Sequence, residues 1–170
     1  MISENVVDLD EGWCCDTKYL INVMVSENNK KFAYIDDSFL VGKSNINNDN
    51  YDILYFARRN IEHAIIPSFI KRISSYAFDN CKQLTTIEFS ENSELQSIGK
   101  YAFCGCGLDY VLIPSNVTVI ENYAFTNCKY LREINSFSSL QKIGNYAFYG
   151  CSFLQKIQFD SSSIESIGNS

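Results

Sequence analysis

Nucleophilic, acid–base or metal chemistry in these 170 residues would have to come from one histidine, His63, and seven cysteines. A Cys–His or Ser–His dyad therefore has a single possible base, and no Asp-x-Ser or Gly-x-Ser-x-Gly nucleophile signature flanks it. A cysteine hydrolase would require His63 within reach of an acidified thiol. Carboxylates are scattered singly, with neither the paired spacing of acid–base catalysis nor a Gly-rich phosphate loop. Cys104-Gly105-Cys106 and the vicinal Cys14-Cys15 lack the spacing of a zinc or redox motif. Asp36-Asp37 reads as a turn on the way into a hairpin, not as a cation site. The expectation is a non-enzymatic protein with no catalytic residue, no metal and no cofactor, and with His63 as an outward-facing strand residue.

Four of the cysteines belong to a larger pattern. Tyr76-Ala77-Phe78 returns at Tyr101-Ala102-Phe103, Tyr123-Ala124-Phe125 and Tyr146-Ala147-Phe148, at spacings of 25, 22 and 23 residues. Each copy has an isoleucine five residues before its phenylalanine (Ile73, Ile98, Ile120, Ile143) and a cysteine three after it (Cys81, Cys106, Cys128, Cys151). A period of about 20–29 residues with Leu and Ile in fixed phase marks a leucine-rich solenoid. Cysteines in matching positions of stacked coils act as small, dry fillers and are expected to stay reduced, because their Cβ vectors run side by side.

Each coil reads in two halves. The first, L-x-x-I-x-F, occurs as Leu84 to Phe89, Leu108 to Ile113 and Leu154 to Phe159. Its last residues alternate with period two, giving short parallel strands that form the concave sheet of a right-handed horseshoe. The second half, from Ile to Cys, is expected to make about one helical or 3₁₀ turn on the convex side, an α/β repeat architecture. Phe there fills the core, and Tyr lies along the outer wall with its hydroxyl in water.

Residues 1–16, acidic and carrying Trp13, read as an N-terminal cap and residues 17–170 as the solenoid. Leu20 to Val25 matches Leu84 to Phe89 in pattern and is read as an early strand. Lys31 to Val41 and Tyr51 to Ala57, separated by the turn-rich Gly42 to Asn50, are expected to form a β-hairpin inserted at about 31–58 on the convex side. The coil from Leu131 is shortened, leaving the register of Phe137 open. The last coil is expected to be incomplete at Ser170, which leaves an apolar end for self-association or for a longer chain.

The strand register names the candidate ligand-binding face. Before the central apolar residue stand Asn22, His63, Thr86, Tyr110, Glu133 and Lys156; after it stand Met24, Ile65, Glu88, Leu112, Asn135 and Gln158. The concave patch expected to contact a protein partner is His63, Ile65, Thr86, Glu88, Tyr110, Leu112, Glu133 and Asn135, with apolar groups where solvent is expected.

Net charge of −6 disfavours nucleic acid and anionic membrane as partners. An apolar fraction of 46% suffices for a continuous core, and no apolar run reaches the length of a membrane span. Met1 to Asp16 lacks the basic and apolar regions of a secretory signal. Asn116-Val117-Thr118 is a glycosylation sequon, relevant only to a secreted chain.

The phrases Ser97 to Phe103, Ile113-Pro114-Ser115 through Ile120, and Ile143 to Cys151 closely resemble the BspA-like leucine-rich repeat of bacterial and protist surface antigens. The segment from Phe39 to Arg59 is similar to the hairpin interruption of its expanded branch in unicellular eukaryotes. The resemblance covers about residues 17–170. It implies a solenoid at the cell surface or secreted, binding host or matrix proteins, with no catalytic motif. The alternative is a cytoplasmic scaffold assembling with a cytosolic partner or with itself.

Overall fold

The computed structural model describes residues 1–136, 139–160 and 162–169. The strands, in chain order, are β1 (Phe32–Ile35), β2 (Phe39–Gly42), β3 (Ile53–Ala57), β4 (His63–Ile66), β5 (Arg72–Ile73), β6 (Thr86–Phe89), β7 (Ser97–Ile98), β8 (Tyr110–Ile113), β9 (Val119–Ile120), β10 (Glu133–Ser136), β11 (Lys142–Ile143), β12 (Lys156–Phe159) and β13 (Ser166–Ile167). From β4 onward each coil therefore contributes two strands, a four-residue front strand and a two-residue rear strand.

No described residue is helical, which corrects the expected helical or 3₁₀ turns. The reason lies in the backbone of the repeat itself. Tyr76, Tyr101, Tyr123 and Tyr146 all have positive φ, between 54° and 61°. A left-handed residue at the start of each Tyr-Ala-Phe stops helix propagation. The backbone groups pair between coils instead: the Phe78 N–H donates to Ala102 O at 2.7 Å, Phe103 to Ala124 and Phe125 to Ala147, both at 2.8 Å. The isoleucine before each motif, assigned from sequence to the helical half, is the second residue of a rear strand.

These rear strands and the insertion form one sheet of eight, in the order β1-β2-β3-β5-β7-β9-β11-β13. The insertion is a three-stranded antiparallel meander, not a single hairpin. Asp36 and Asp37, at φ 52° and 46°, are the two central left-handed residues of the turn between β1 and β2, which the Ser38 N–H closes by donating to Ile35 O at 3.0 Å. Lys43 to Asp52 then connects β2 to β3, and β3 joins β5 in parallel. The insertion thus extends the rear sheet.

Ladders of identical side chains run through the coils. Phe78, Phe103, Phe125 and Phe148 stack at centroid distances of 4.9, 5.1 and 5.7 Å. Tyr76, Tyr101, Tyr123 and Tyr146 form a second stack at 5.0, 4.7 and 5.1 Å. The first three phenylalanines are fully buried, while the tyrosines keep an edge in solvent. Offset stacking adds about 0.5–1.5 kcal/mol per pair to the burial itself.

All seven cysteines are thiols, and those of the repeat have a directional role as well as a packing one. The Cys106, Cys128 and Cys151 thiols donate to the carbonyls of Phe78, Phe103 and Phe125, respectively, at 3.0–3.2 Å. Each links its turn to the phenylalanine of the preceding coil.

The N-terminal segment and the insertion share a second core of Ile2, Cys14, Phe32, Leu40, Ile53, Tyr55 and Phe56. Leu20 to Val25 departs from the expected strand. It keeps the in–out alternation, but only Val25 pairs, through a bridge to Ile2. Arg59 joins the two cores. Its guanidinium is buried and donates to the carbonyls of Cys14, Ala77 and Tyr76, with Nε on Thr17 O, and it lies 4.6 Å from the Phe56 ring centroid.

Candidate functional site

The front strands alternate as the coil pattern dictates. In β4 and β8 the first and third residues are exposed and the second and fourth buried. Registers place His63 beside Thr86 and Ile65 beside Glu88, then Tyr110 beside Glu133 and Leu112 beside Asn135. Ile65 is 61% exposed, Tyr110 44% and Leu112 45%. His63 Nδ1 bonds with Thr86 Oγ1 across this surface, while Cys81, Cys106 and Cys128 are buried inside the coils.

Two predicted members behave differently from the rest. Asn135 is only 7% exposed, which corrects its placement as a solvent-facing contact. Its Nδ2 donates to Glu133 Oε1 at 2.7 Å, and Lys156 Nζ donates to the same oxygen at 2.6 Å, so the charged pair closes over the short amide. Those donors, Lys156 first, hold the Glu133 carboxyl below its usual range. Asn22 and Met24 stand outside any front strand. The register of Phe137 lies outside the described residues.

The front face is divided. β4 pairs with β6, and β10 with both β8 and β12, but β6 and β8 share no ladder. Two local features account for the break. After β6 and after β12 the later coil's N–H donates to the earlier coil's carbonyl, Ser90 to Ile66 O and Asp160 to Ser136 O. At β8 that position is Pro114, which has no N–H to offer. The chain before β8 is also one residue shorter: Cys106 and Leu108 are two apart, where Cys81 and Leu84, Cys128 and Leu131, and Cys151 and Leu154 are three apart. Gly107 makes this shortcut by passing so close to the previous coil that an added Cβ would lie 2.4 Å from Lys82 O. The first bond across the gap, Asp109 N–H to Thr85 O, is correspondingly long at 3.4 Å. Pro67 follows β4 in the same way, and β4 also lacks a ladder to the segment before it.

The break opens a groove of about 910 Å³. Its floor includes Ile87, Phe89 and Ile113; Thr86, Glu88, Tyr110 and Leu112 line it from the two strands. Four of the eight sequence-predicted residues therefore meet in one groove. His63 and Ile65 stand on the neighbouring strand β4, and Glu133 and Asn135 on β10. The loop residues of the lining, Asn92, Ser93, Ser115 and Asn116 among them, were missed by sequence reasoning, because strand columns count only residues within a strand. The Ile-Pro-Ser phrase and the short Cys-Gly-Leu step were the signals that could have marked the gap.

The arrangement offers shape and hydrogen bonding more than reactivity. Burial pushes the Cys81 and Cys151 thiols up to about 11 and raises Cys106 and Cys128 strongly, the opposite of nucleophile activation. Among the described residues no group of three or more His, Cys, Asp or Glu is placed to hold a metal ion, and no helix is long and apolar enough to cross a membrane. Asn116, the sequon residue, is exposed, but its amide nitrogen donates to Ser93 O at 2.7 Å.

Comparison with known proteins agrees with this architecture. A leucine-rich repeat protein from Eubacterium ventriosum superposes with a TM-score of 0.80 at 26% identity, over 96% of this chain and 42% of its own. A leucine-rich cell surface protein from Faecalibacterium prausnitzii gives 0.58 at 26% identity, over 82% and 42%. The pneumococcal vaccine antigen PcpA, at 19% identity, shares the fold with a TM-score of 0.70 over 95% of this chain and 45% of its own. The chain spans less than half the length of each of these proteins. No curated protein matches it in sequence. Residues 52–170 match six copies of the BspA type leucine rich repeat region, a span that begins one residue before β3 and leaves out Leu20 to Val25. With most of its length in that repeat, the chain belongs to the BspA type leucine-rich repeat family.

Proposed function

We propose that the protein is a non-enzymatic recognition module whose front face binds another protein, in the manner of a surface antigen or adhesin meeting host or matrix proteins. Leucine-rich repeat solenoids are in general protein-interaction scaffolds, and the observation that carries the reading is the groove itself. Ile65, Tyr110 and Leu112 are large, apolar and exposed together on a face whose core is otherwise well filled, as interaction surfaces are. A cell-surface location draws support from the Faecalibacterium relative, which is described as a cell surface protein. Residues 1–16 serve as the cap of the solenoid, contributing Ile2 and Cys14 to the second core.

The test is binding to a plate-coated panel of matrix glycoproteins by wild type and by a Tyr110→Ser/Leu112→Ser double variant. Binding that falls at least about tenfold with unchanged thermal unfolding fits the loss of a central apolar anchor. Equal binding by the two proteins removes the front face from consideration.

A second reading rests on the cysteines, all seven of which are free thiols, as a reducing compartment keeps them. It is an intracellular scaffold that assembles with itself or with a cytosolic partner. Labelling intact cells with a membrane-impermeant reagent separates the two: labelling only after lysis excludes the adhesin.

A further inference from the structure

We propose that the groove between β6 and β8 takes an extended segment of a protein partner that carries an apolar side chain next to a lysine or arginine. The proposal rests on the reading of the front face as a binding surface and names the chemistry of what that face receives.

Charge is the first argument. Among the described residues, the only ionisable acids or bases lining the groove, apart from the Tyr110 phenol, are Glu88 and Asp109, and no Lys, Arg or His lines it. Glu88 has no ion-pair partner among the described residues. Asp109 meets Arg132 at 3.2 Å, but both side chains are more than half exposed, so the pair is screened and readily exchanged for another cation. An acidic segment would be repelled, and a neutral one would leave Glu88 uncompensated.

Shape and polarity supply the second. The floor of Ile87, Phe89 and Ile113 is apolar and flanked by Tyr110 and Leu112, a place for one aliphatic or aromatic side chain. The rim is rich in Thr, Ser and Asn, whose hydroxyls and amides suit the backbone of an extended chain. The volume of about 910 Å³ lies within the range of clefts that enclose a few residues of chain.

The origin of the gap is the third. Pro114 and Gly107 keep β6 and β8 from forming a ladder in the polypeptide itself, so the groove is present before any partner arrives, and preformed sites lose little in ordering.

The test is titration of isotope-labelled protein with three end-blocked pentapeptides that differ only in the residues flanking a central leucine: lysine, glutamine or glutamate. The expected result is backbone shifts concentrated in β6 and β8 with the lysine peptide. Affinity should fall about two- to fivefold in Glu88→Gln, the range of an exposed ion pair, and the lysine preference should vanish in about 0.5 M salt. Equal affinity for the three peptides, no binding of the lysine peptide, shifts confined to other strands, or concentration-dependent self-association through the groove would each overturn the proposal. If the lysine peptide fails while Tyr110→Ser/Leu112→Ser still abolishes matrix binding, the groove chemistry falls and the front-face reading stands; if both fail, the front face itself is excluded.

Discussion

The rear of the solenoid and its front are built from the same coils and behave differently. At the rear, eight strands run without interruption from the insertion to the last coil, and the Phe and Tyr stacks keep near-constant spacing. At the front the same coils divide into a pair and a triplet of strands. The difference teaches that one side fixes the stacking distance, leaving the other free to open where a proline and a one-residue deletion coincide. Stability resides in the repeat, and the candidate site lies where the repeat is interrupted.

The comparison breaks most sharply at the rear. Phe103→Ala should destabilise by about 3–5 kcal/mol in urea unfolding, since Phe103 stacks on both Phe78 and Phe125. Arg59→Met should follow at about 3 kcal/mol, because several buried carbonyls lose their donor at once. Its loss should loosen the N-terminal segment first, a pattern that hydrogen exchange resolves. At the front, Gly107→Ala is expected to lower stability by about 1–3 kcal/mol and to widen the gap, since the new methyl group meets the Lys82 carbonyl.

Smaller effects sharpen the contrast. Asp52 is held by Ser44, whose N–H and hydroxyl donate to its carboxylate; burial alone would raise its pKa, but these bonds together leave it below the ordinary value. A depressed folded pKa stabilises above the unfolded value of about 3.9 and is lost as pH falls through the folded one. The stability advantage of wild type over Asp52→Asn should therefore shrink on acidification from pH about 5 to pH about 3. Least of all, Leu112→Ser should change stability by no more than about 0.5 kcal/mol, as a surface substitution does. A loss of several kcal/mol there would mean that the front face is core.

Much of this was legible in the residues. The alternation in Tyr110 to Ile113 placed Val111 and Ile113 inside, and the matching positions of Cys106 and Cys128 placed their thiols in the core. The helical reading of Tyr-Ala-Phe failed because Ile and Phe five apart fit one turn of helix as well as a strand followed by a tight turn; the positive φ of the tyrosine, uncommon for an aromatic residue, is not announced by its side chain. Asp36-Asp37 was identified as a turn, but the number of strands around it was not, since either side of a turn can pair with a third segment.

By itself the sequence determined the coil: its period, the residues that face inward and the columns that face out, because side-chain alternation and repeat spacing are local properties of the chain. Only the tertiary structure decided which coils touch. Whether β6 and β8 join depends on a missing N–H at Pro114 meeting a carbonyl about a coil away, and on the space Gly107 leaves beside Lys82. Whether Asn135 is a surface residue depends on a salt bridge from its own strand, at Glu133, to Lys156 in the next coil. Those are relations between segments more than 20 residues apart, and they appear only when the coils are stacked.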